Sequence, residues 1–155
     1  MANIVPFSFP VELLSGTHNF ASGGDTFKIA LYTANPYTNT AGAQAATAYT
    51  INAEVSSGGG SQYPSGGNTL ASQAVSNVSN VATVDFADSV FGSVTPATFT
   101  AAFGAIYNDT DGDKLVVVLD FGGNKTCTSG TFTITFPNPT SGSPSGSDAI
   151  ISITS

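Results

Sequence analysis

Apolar residues in this chain fall at every second position, and the pattern is strongest between residues 97 and 121. There Phe99, Ala101, Phe103, Ala105 and Tyr107 alternate with Thr98, Thr100, Ala102, Gly104 and Ile106. A period of two is that of a strand with one buried face. Further on, Leu115, Val117, Leu119 and Phe121 alternate with Val116, Val118 and Asp120, so this run is apolar on nearly both sides. Such a run predicts a central strand covered on both faces. Between the two lies the run NDTDGD at 108–113, rich in residues that tolerate turn geometry. The whole stretch predicts a long antiparallel hairpin.

The same period marks shorter strands elsewhere. Phe27, Ile29 and Leu31 share a face in 26–33, and Ala82, Val84 and Phe86 do so in 80–86. Phe132, Ile134 and Phe136 point inward from 131–136, while Ile151 and Ile153 share a face of a last strand over 149–154. A further strand is predicted over 69–76, and Phe91 anchors the connection 88–96. Turns separate these runs at 22–25, 77–79 and 122–125. Loops are predicted at 34–44, at the glycine-rich 56–68 and at the Pro/Gly/Ser-rich excursion 137–148. Residues 45–55 fit either a helical turn or an extended edge. At the start of the chain Ile4, Val5, Phe7 and Phe9 surround Pro6 and precede Pro10, which predicts an extended apolar arm. Such an arm must be covered by its own domain or by a neighbouring subunit. A helical turn over 10–15 follows, with Pro10 at its start and Gly16 as its stop. The predicted organisation is therefore an arm and helical turn over 1–15, then a single β-sandwich domain over 16–155. The fold class is all-β: an antiparallel β-sandwich or jelly-roll-like barrel with an extended N-terminal arm.

Composition narrows the possible functions. Charged residues make up 8% of the chain, against roughly 25% in ordinary soluble domains. A surface this poor in charge suits a component covered by neighbours in an assembly. Three lysines, no arginine and ten acidic residues give a net charge of −7. Binding nucleic acid needs cations to replace counterions on phosphates, so no nucleic-acid partner is expected. An anionic membrane surface is excluded on the same ground, and no run is long enough to span a membrane. The first sixteen residues lack the positive start and small-residue cleavage site of a secretory signal. Cys127 is the only cysteine, which rules out an intrachain disulfide.

Chemistry is sparse. His18 is the only histidine and is expected in an exposed polar turn, away from any nucleophile. Glu54, Asp85, Asp88 and Asp120 are carboxylates with nothing in their spacing to pair them across a cleft. The sharpest constellation is Asp109, Asp111 and Asp113, hard oxygen ligands at alternate positions, with Asp120 at the spacing of a calcium loop's final acid. Yet Lys114 stands where such a loop needs glycine, and Asp120 falls inside an apolar strand. An acidic hairpin turn is the expected reading. No enzyme activity and no cofactor are expected.

The order of six segments, TFKIALYT, AYTINAEVS, SGGNTL, FTAAFGAIYND, VVVLDFGG and GTFTITFP, resembles a family of small virion structural proteins of tailed bacteriophages. The resemblance spans about residues 27–137. It implies a decoration or cement protein on the capsid exterior, binding the major capsid protein, as a homotrimer over three-fold sites. It carries no catalytic residues with it. The alternative is a tail, fibre or spike component that binds a host surface glycan, which the absence of tryptophan, the usual sugar-stacking residue, disfavours. In either case Ile4, Val5, Phe7 and Phe9 are the expected interface.

Overall fold

The computed structural model describes residues 2–78, 81–137 and 150–154. The fold is all-β, with antiparallel sheets and, among the described residues, two short helices. Its elements run α1 (Ser8–Leu14), β1 (Phe27–Tyr32), α2 (Thr40–Ala45), β2 (Asn68–Thr69), β3 (Ala74–Val78) and β4 (Val81–Asp85). They continue with β5 (Ser89–Phe91), β6 (Ala97–Asn108), β7 (Lys114–Gly130), β8 (Phe132–Ile134) and β9 (Ile151–Thr154). Among the described residues three sheets form, ordered β2–β1–β6–β7, β3–β4–β9 and β5–β8.

The predicted hairpin is present as β6 and β7, paired from Asn108↔Lys114 to Ala97↔Gly130. Strand β1 joins its other side, from Phe27↔Asn108 to Tyr32↔Phe103. The four-stranded sheet is apolar on both faces, as the sequence of β7 predicts. On one face Phe27, Ile29, Leu31, Ile106 and Val117 join a core shared with Val84, Phe91 and Phe132 from the two smaller sheets and with Phe86, just after β4. On the other, Ala30, Tyr32, Ala105, Tyr107 and Val118 pack with Ile4 and Ala43. Phe91 is the anchor its position predicts, at 1% exposure.

Strict alternation fails along the hairpin, because the ladder between β6 and β7 shifts register three times. Tyr107 pairs with Leu115 and Ile106 with Val117, so Val116 is extra, and Val116 and Val117 both enter the first core. Two consecutive side chains on one face are what a bulge produces. A larger break lies between Ala101↔Lys125 and Phe103↔Asp120. Across it Ala101 packs into the first core, whereas Phe103 packs against the second. The five residues expected on one face of β6 are thus split between two. Residues 122–125 do not form the predicted turn. Residues 122–124 belong to this bulge, with Gly122 at φ 71° and Gly123 at φ 131°, and at Lys125 β7 resumes its pairing with β6.

Other boundaries move as well. Helix α1 begins at Ser8, so Phe9 lies in the helix rather than in an arm. Pro10 is accommodated because first-turn N–H groups have no helical acceptor in any case. Gly16, at φ 75°, ends the helix as predicted, donating to the Leu13 carbonyl oxygen, and Thr17 donates to that of Glu12. Helix α2 occupies the end of the loop predicted over 34–44 and finishes on Ala45, the first residue of the ambiguous 45–55 stretch; it is capped by the Asn39 side chain accepting from Gly42 N–H at 2.9 Å. The strand predicted over 69–76 divides into β2 and β3. Phe132 and Phe136 are buried as predicted, and Ile134 packs against the same core. The excursion predicted over 137–148 lies, apart from Pro137, outside the described residues.

Candidate functional site

The four predicted interface residues separate into two pairs. Ile4 exchanges two backbone hydrogen bonds of 2.8 Å with Val118 on the outer edge of β7 and is 6% exposed. Phe9 is 3% exposed in the first core. These two are structural residues of their own domain, a correction to the idea of an apolar arm lying free for a neighbour. Val5 and Phe7 are open, at 49% and 68% exposure.

Helix α1 extends that open surface. Phe9 and Leu13, one turn apart, pack inward. Phe7, Val11 and Leu14 recur at the spacing of one helix face and point outward, Val11 at 68% and Leu14 at 90% exposure. An exposed helix face would ordinarily be charged. Here the only charge on α1, Glu12, is turned inward with 14% of its side chain exposed.

Glu12 is held by a polar network that fastens α1 to the tip of the hairpin. Its Oε2 lies 3.1 Å from His18 Nε2 and its Oε1 3.8 Å from Lys114 Nζ. His18 is not the exposed turn residue expected. It is 6% exposed, with its ring centroid 5.2 Å from Phe9, 5.9 Å from Phe20 and 6.3 Å from Phe27. Its Nδ1 lies 3.2 Å from Asn108 Nδ2. Asn108 is fully buried, and its amide orientation is fixed from both ends. Oδ1 accepts from the N–H groups of Thr110 and Asp111, and Nδ2 donates to Asp25 Oδ2 at 2.8 Å. Nδ1 of His18 therefore accepts, and Nε2 carries the hydrogen that Glu12 receives. The ring is a connector between elements and has no open side for a reactant.

A second network forms around Glu54, and sequence reasoning missed its role. Oε1 accepts from the Tyr63 hydroxyl and the Gly66 N–H, both at 2.8 Å, and Oε2 accepts from the Tyr49 hydroxyl at 2.6 Å. Tyr63 in turn accepts from Leu31 N–H, and the Tyr107 hydroxyl donates to the Gly66 carbonyl. The loop over 56–68 is thereby pinned to β1 and β6. Its one visible signal was Tyr63-Pro64 in an otherwise glycine- and serine-rich run. Burial pushes all five tyrosine hydroxyls, Tyr32, Tyr37, Tyr49, Tyr63 and Tyr107, above their ordinary range. Glu54 adds to this at Tyr49 and Tyr63. Unfolded tyrosine ionises near pH ~10. The phenolate therefore favours the unfolded chain, and stability is complete below about pH 10 and falls as pH rises beyond it. Alkaline titration should show phenolate absorbance appearing in one cooperative step together with loss of far-UV circular dichroism. Smooth ionisation near pH ~10 with the fold intact would contradict this packing.

The acidic tip is a turn. Asp109 pairs with Lys28 at 2.8 Å, and Gly112 and Asp113 adopt positive φ. Among the described residues no three His, Cys, Asp or Glu side chains converge as a metal site, so Asp109, Asp111 and Asp113 do not converge as ligands. Of the four scattered carboxylates, the structure brings two together. Asp85 and Asp88 line a hollow of about 450 Å³ with Ser72, Thr135 and Phe136. Burial, opposed by a hydrogen bond from the Phe86 backbone and aided by Asp88, raises the Asp85 carboxyl above its usual range, and Asp85 Oδ1 is buried with no hydrogen-bond partner among the described residues. Asp88 Oδ1 accepts from Phe136 N–H at 2.9 Å, which fixes the chain after β8. A larger hollow, of about 800 Å³, lies between the β7 bulge and β8, with Phe121, Phe132, Phe136, Asp120 and Lys125 among its walls. Cys127 is buried, its thiol 3.4 Å from the Ala97 carbonyl oxygen.

The feature that departs most from an ordinary surface is thus the uncharged apolar face of Val5, Phe7, Val11 and Leu14, held rigidly by the Glu12–His18–Asn108 network. Comparison of the chain with protein-family models, with curated proteins and with solved structures finds no match in any of the three.

Proposed function

We propose that this chain is a virion structural protein, a decoration or cement protein on the capsid exterior of a tailed bacteriophage head. In this reading it binds the major capsid protein as a homotrimer, and the outer face of α1 is the surface that grips the shell. The observation that carries the reading is that face: Phe7, Val11 and Leu14 stand 68%, 68% and 90% exposed on a helix whose only charge points inward. The resemblance of the order of segments to that of small phage virion proteins supports it. So does the low charge, since contacts made by apolar burial are little affected by salt. The finer fold in this proposal is a β-sandwich, supported by the two smaller sheets contributing Val84, Phe91 and Phe132 to one face of the large one.

A decoration protein acts by linkage: it binds assembled lattice and so makes the lattice harder to take apart. Purified protein added to heads that lack it should bind in numbers comparable with the major capsid protein, and should stay bound in molar salt. The double variant Val11→Ser/Leu14→Ser should melt like the parent yet fail to bind. Heat-induced DNA release should occur at lower temperature without the protein. Equal release temperatures with and without it would remove the cementing role. The second reading, a tail, fibre or spike component that binds a host glycan, is favoured by the phenylalanine-lined hollow beside β8. A copy number of only a few per particle would put that reading first.

A further inference from the structure

Among the described residues the sheet β3–β4–β9 ends in two edges that no strand pairs. Strand β4 lies between its neighbours, paired with β3 from Ala74↔Asp85 to Val78↔Val81 and with β9 from Val81↔Thr154 to Val84↔Ile151. Beyond β3 and beyond β9 no strand follows among the described residues. The large sheet is treated differently. The outer edge of β7 is covered by Ile4 bonding to Val118, by Asn3 Oδ1 accepting from Asp120 N–H, and by Thr47 O accepting from Leu115 N–H. Open edges expose unpaired backbone donors and acceptors, and proteins usually blunt them with lysine, proline or a bulge. Strand β3, Ala-Val-Ser-Asn-Val, has none of these, and neither does β9, Ile-Ser-Ile-Thr. Ala74, Val75, Ser76 and Asn77 are all exposed.

Side-chain placement makes the two edges complementary. Residues directly opposite one another across a ladder share a face. Val75, Val84 and Ile151 therefore form one row, and Asn77, Ala82 and Ile153 the next on the same face. That face borders an apolar hollow of about 420 Å³ walled also by Leu13 and Phe20. Val75 and Ile153, at opposite margins of it, are 56% and 55% exposed. Charge narrows the occupant. Copies with a net charge of −7 repel, so they associate most readily through an uncharged strip, and neither edge strand bears a charge.

We infer that the β3 edge of one copy pairs with the β9 edge of the next, giving an uninterrupted sheet across copies and setting Val75 beside Ile153 of the neighbour's β9. A single head-to-tail contact of this kind uses both open edges, whereas two β3 edges paired about a two-fold axis would leave both β9 edges bare. Head-to-tail contacts close into rings when each copy turns by a suitable angle. Three copies is the ring that matches the trimer proposed above, and only that number rests on the proposed function.

Light scattering and sedimentation of the full chain at tens of micromolar test this. The expected result is one species of three chain masses. Val75→Lys and Ile153→Lys should each reduce it to one chain mass with unchanged circular dichroism, while Val11→Ser/Leu14→Ser should leave the trimer intact. A second variant guards against misfolding. Within one copy β3 and β9 are two strand spacings apart, about 9.5 Å, beyond the reach of a disulfide. Val75→Cys/Ile153→Cys under mild oxidation should therefore give a covalent trimer on a non-reducing gel, formed only between copies. A monomeric parent chain, an oligomer indifferent to both lysine variants, or a double-cysteine chain that stays monomeric would each overturn the inference. Loss of the trimer in the α1 variant would do so too, and would move self-association to α1. Failure of that variant to bind heads while still trimeric bears on the capsid reading alone.

Discussion

Phe9→Ala is expected to cost about 3–5 kcal/mol of folding stability, the range for emptying a buried phenylalanine site. Phe7→Ser, two residues away, should stay within about 0.5 kcal/mol, as an exposed substitution does. The contrast follows from 3% against 68% exposure in the same short stretch. Phe9 is in contact with the rings of His18 and Phe20, so its loss opens a void beside the buried Glu12–His18–Asn108 network as well as in the apolar core. Urea denaturation of the two variants measures both numbers. If Phe7→Ser proved as damaging as Phe9→Ala, the outer face of α1 would belong to the fold, and the surface proposed to grip a capsid would lose its standing. A melting temperature unchanged by Phe9→Ala would show instead that the helix does not dock as described.

Glu54→Ala is the second substitution with a large expected effect. It leaves the Tyr49 hydroxyl, the Tyr63 hydroxyl and the Gly66 N–H without their acceptor. A buried group so stranded costs about 1–3 kcal/mol, which applies in full to Tyr63; Tyr49 and Gly66 are half-buried and reach water in part, so a total loss of about 2–3 kcal/mol is expected. Glu54→Gln should recover much of it, since the amide oxygen accepts from Tyr63 and Gly66 while the amide nitrogen donates to the Tyr49 oxygen. The fluorescence of tyrosine, in a chain without tryptophan, reports the transition directly. A Glu54→Ala variant within about 1 kcal/mol of the parent would mean that water satisfies these groups and that the loop is not pinned through the carboxylate.

What the sequence reveals and what it hides divide along a physical line. Phe27, Ile29 and Leu31 are read correctly because β1 is regular, so period two maps directly onto faces. Phe99 to Tyr107 are read only in part, because bulges change which residues share a face without changing composition. His18, Asn108 and Glu54 are missed for a different reason. A polar side chain is buried only when distant groups satisfy it, and Asn108 meets His18 across ninety residues of chain. Nothing local announces such a partner. Helix α1 lies between these cases: its stop at Gly16 is legible, while its inward and outward faces depend on where Glu12 finds His18.

The bond between Ile4 and Val118 has a consequence for how the protein is made. A chain emerges from the ribosome N-terminus first, so Ile4 and the apolar residues around it appear more than a hundred residues ahead of the part of β7 that Ile4 bonds to. At roughly 5–20 residues per second this is a wait of roughly 5–20 seconds. Throughout it Ile4, Phe9 and the outer face of α1 are uncovered together on the nascent chain. The segment around Ile4 is thus made well before the strand that completes it, and the interval between the two is one in which its apolar residues are open to other chains.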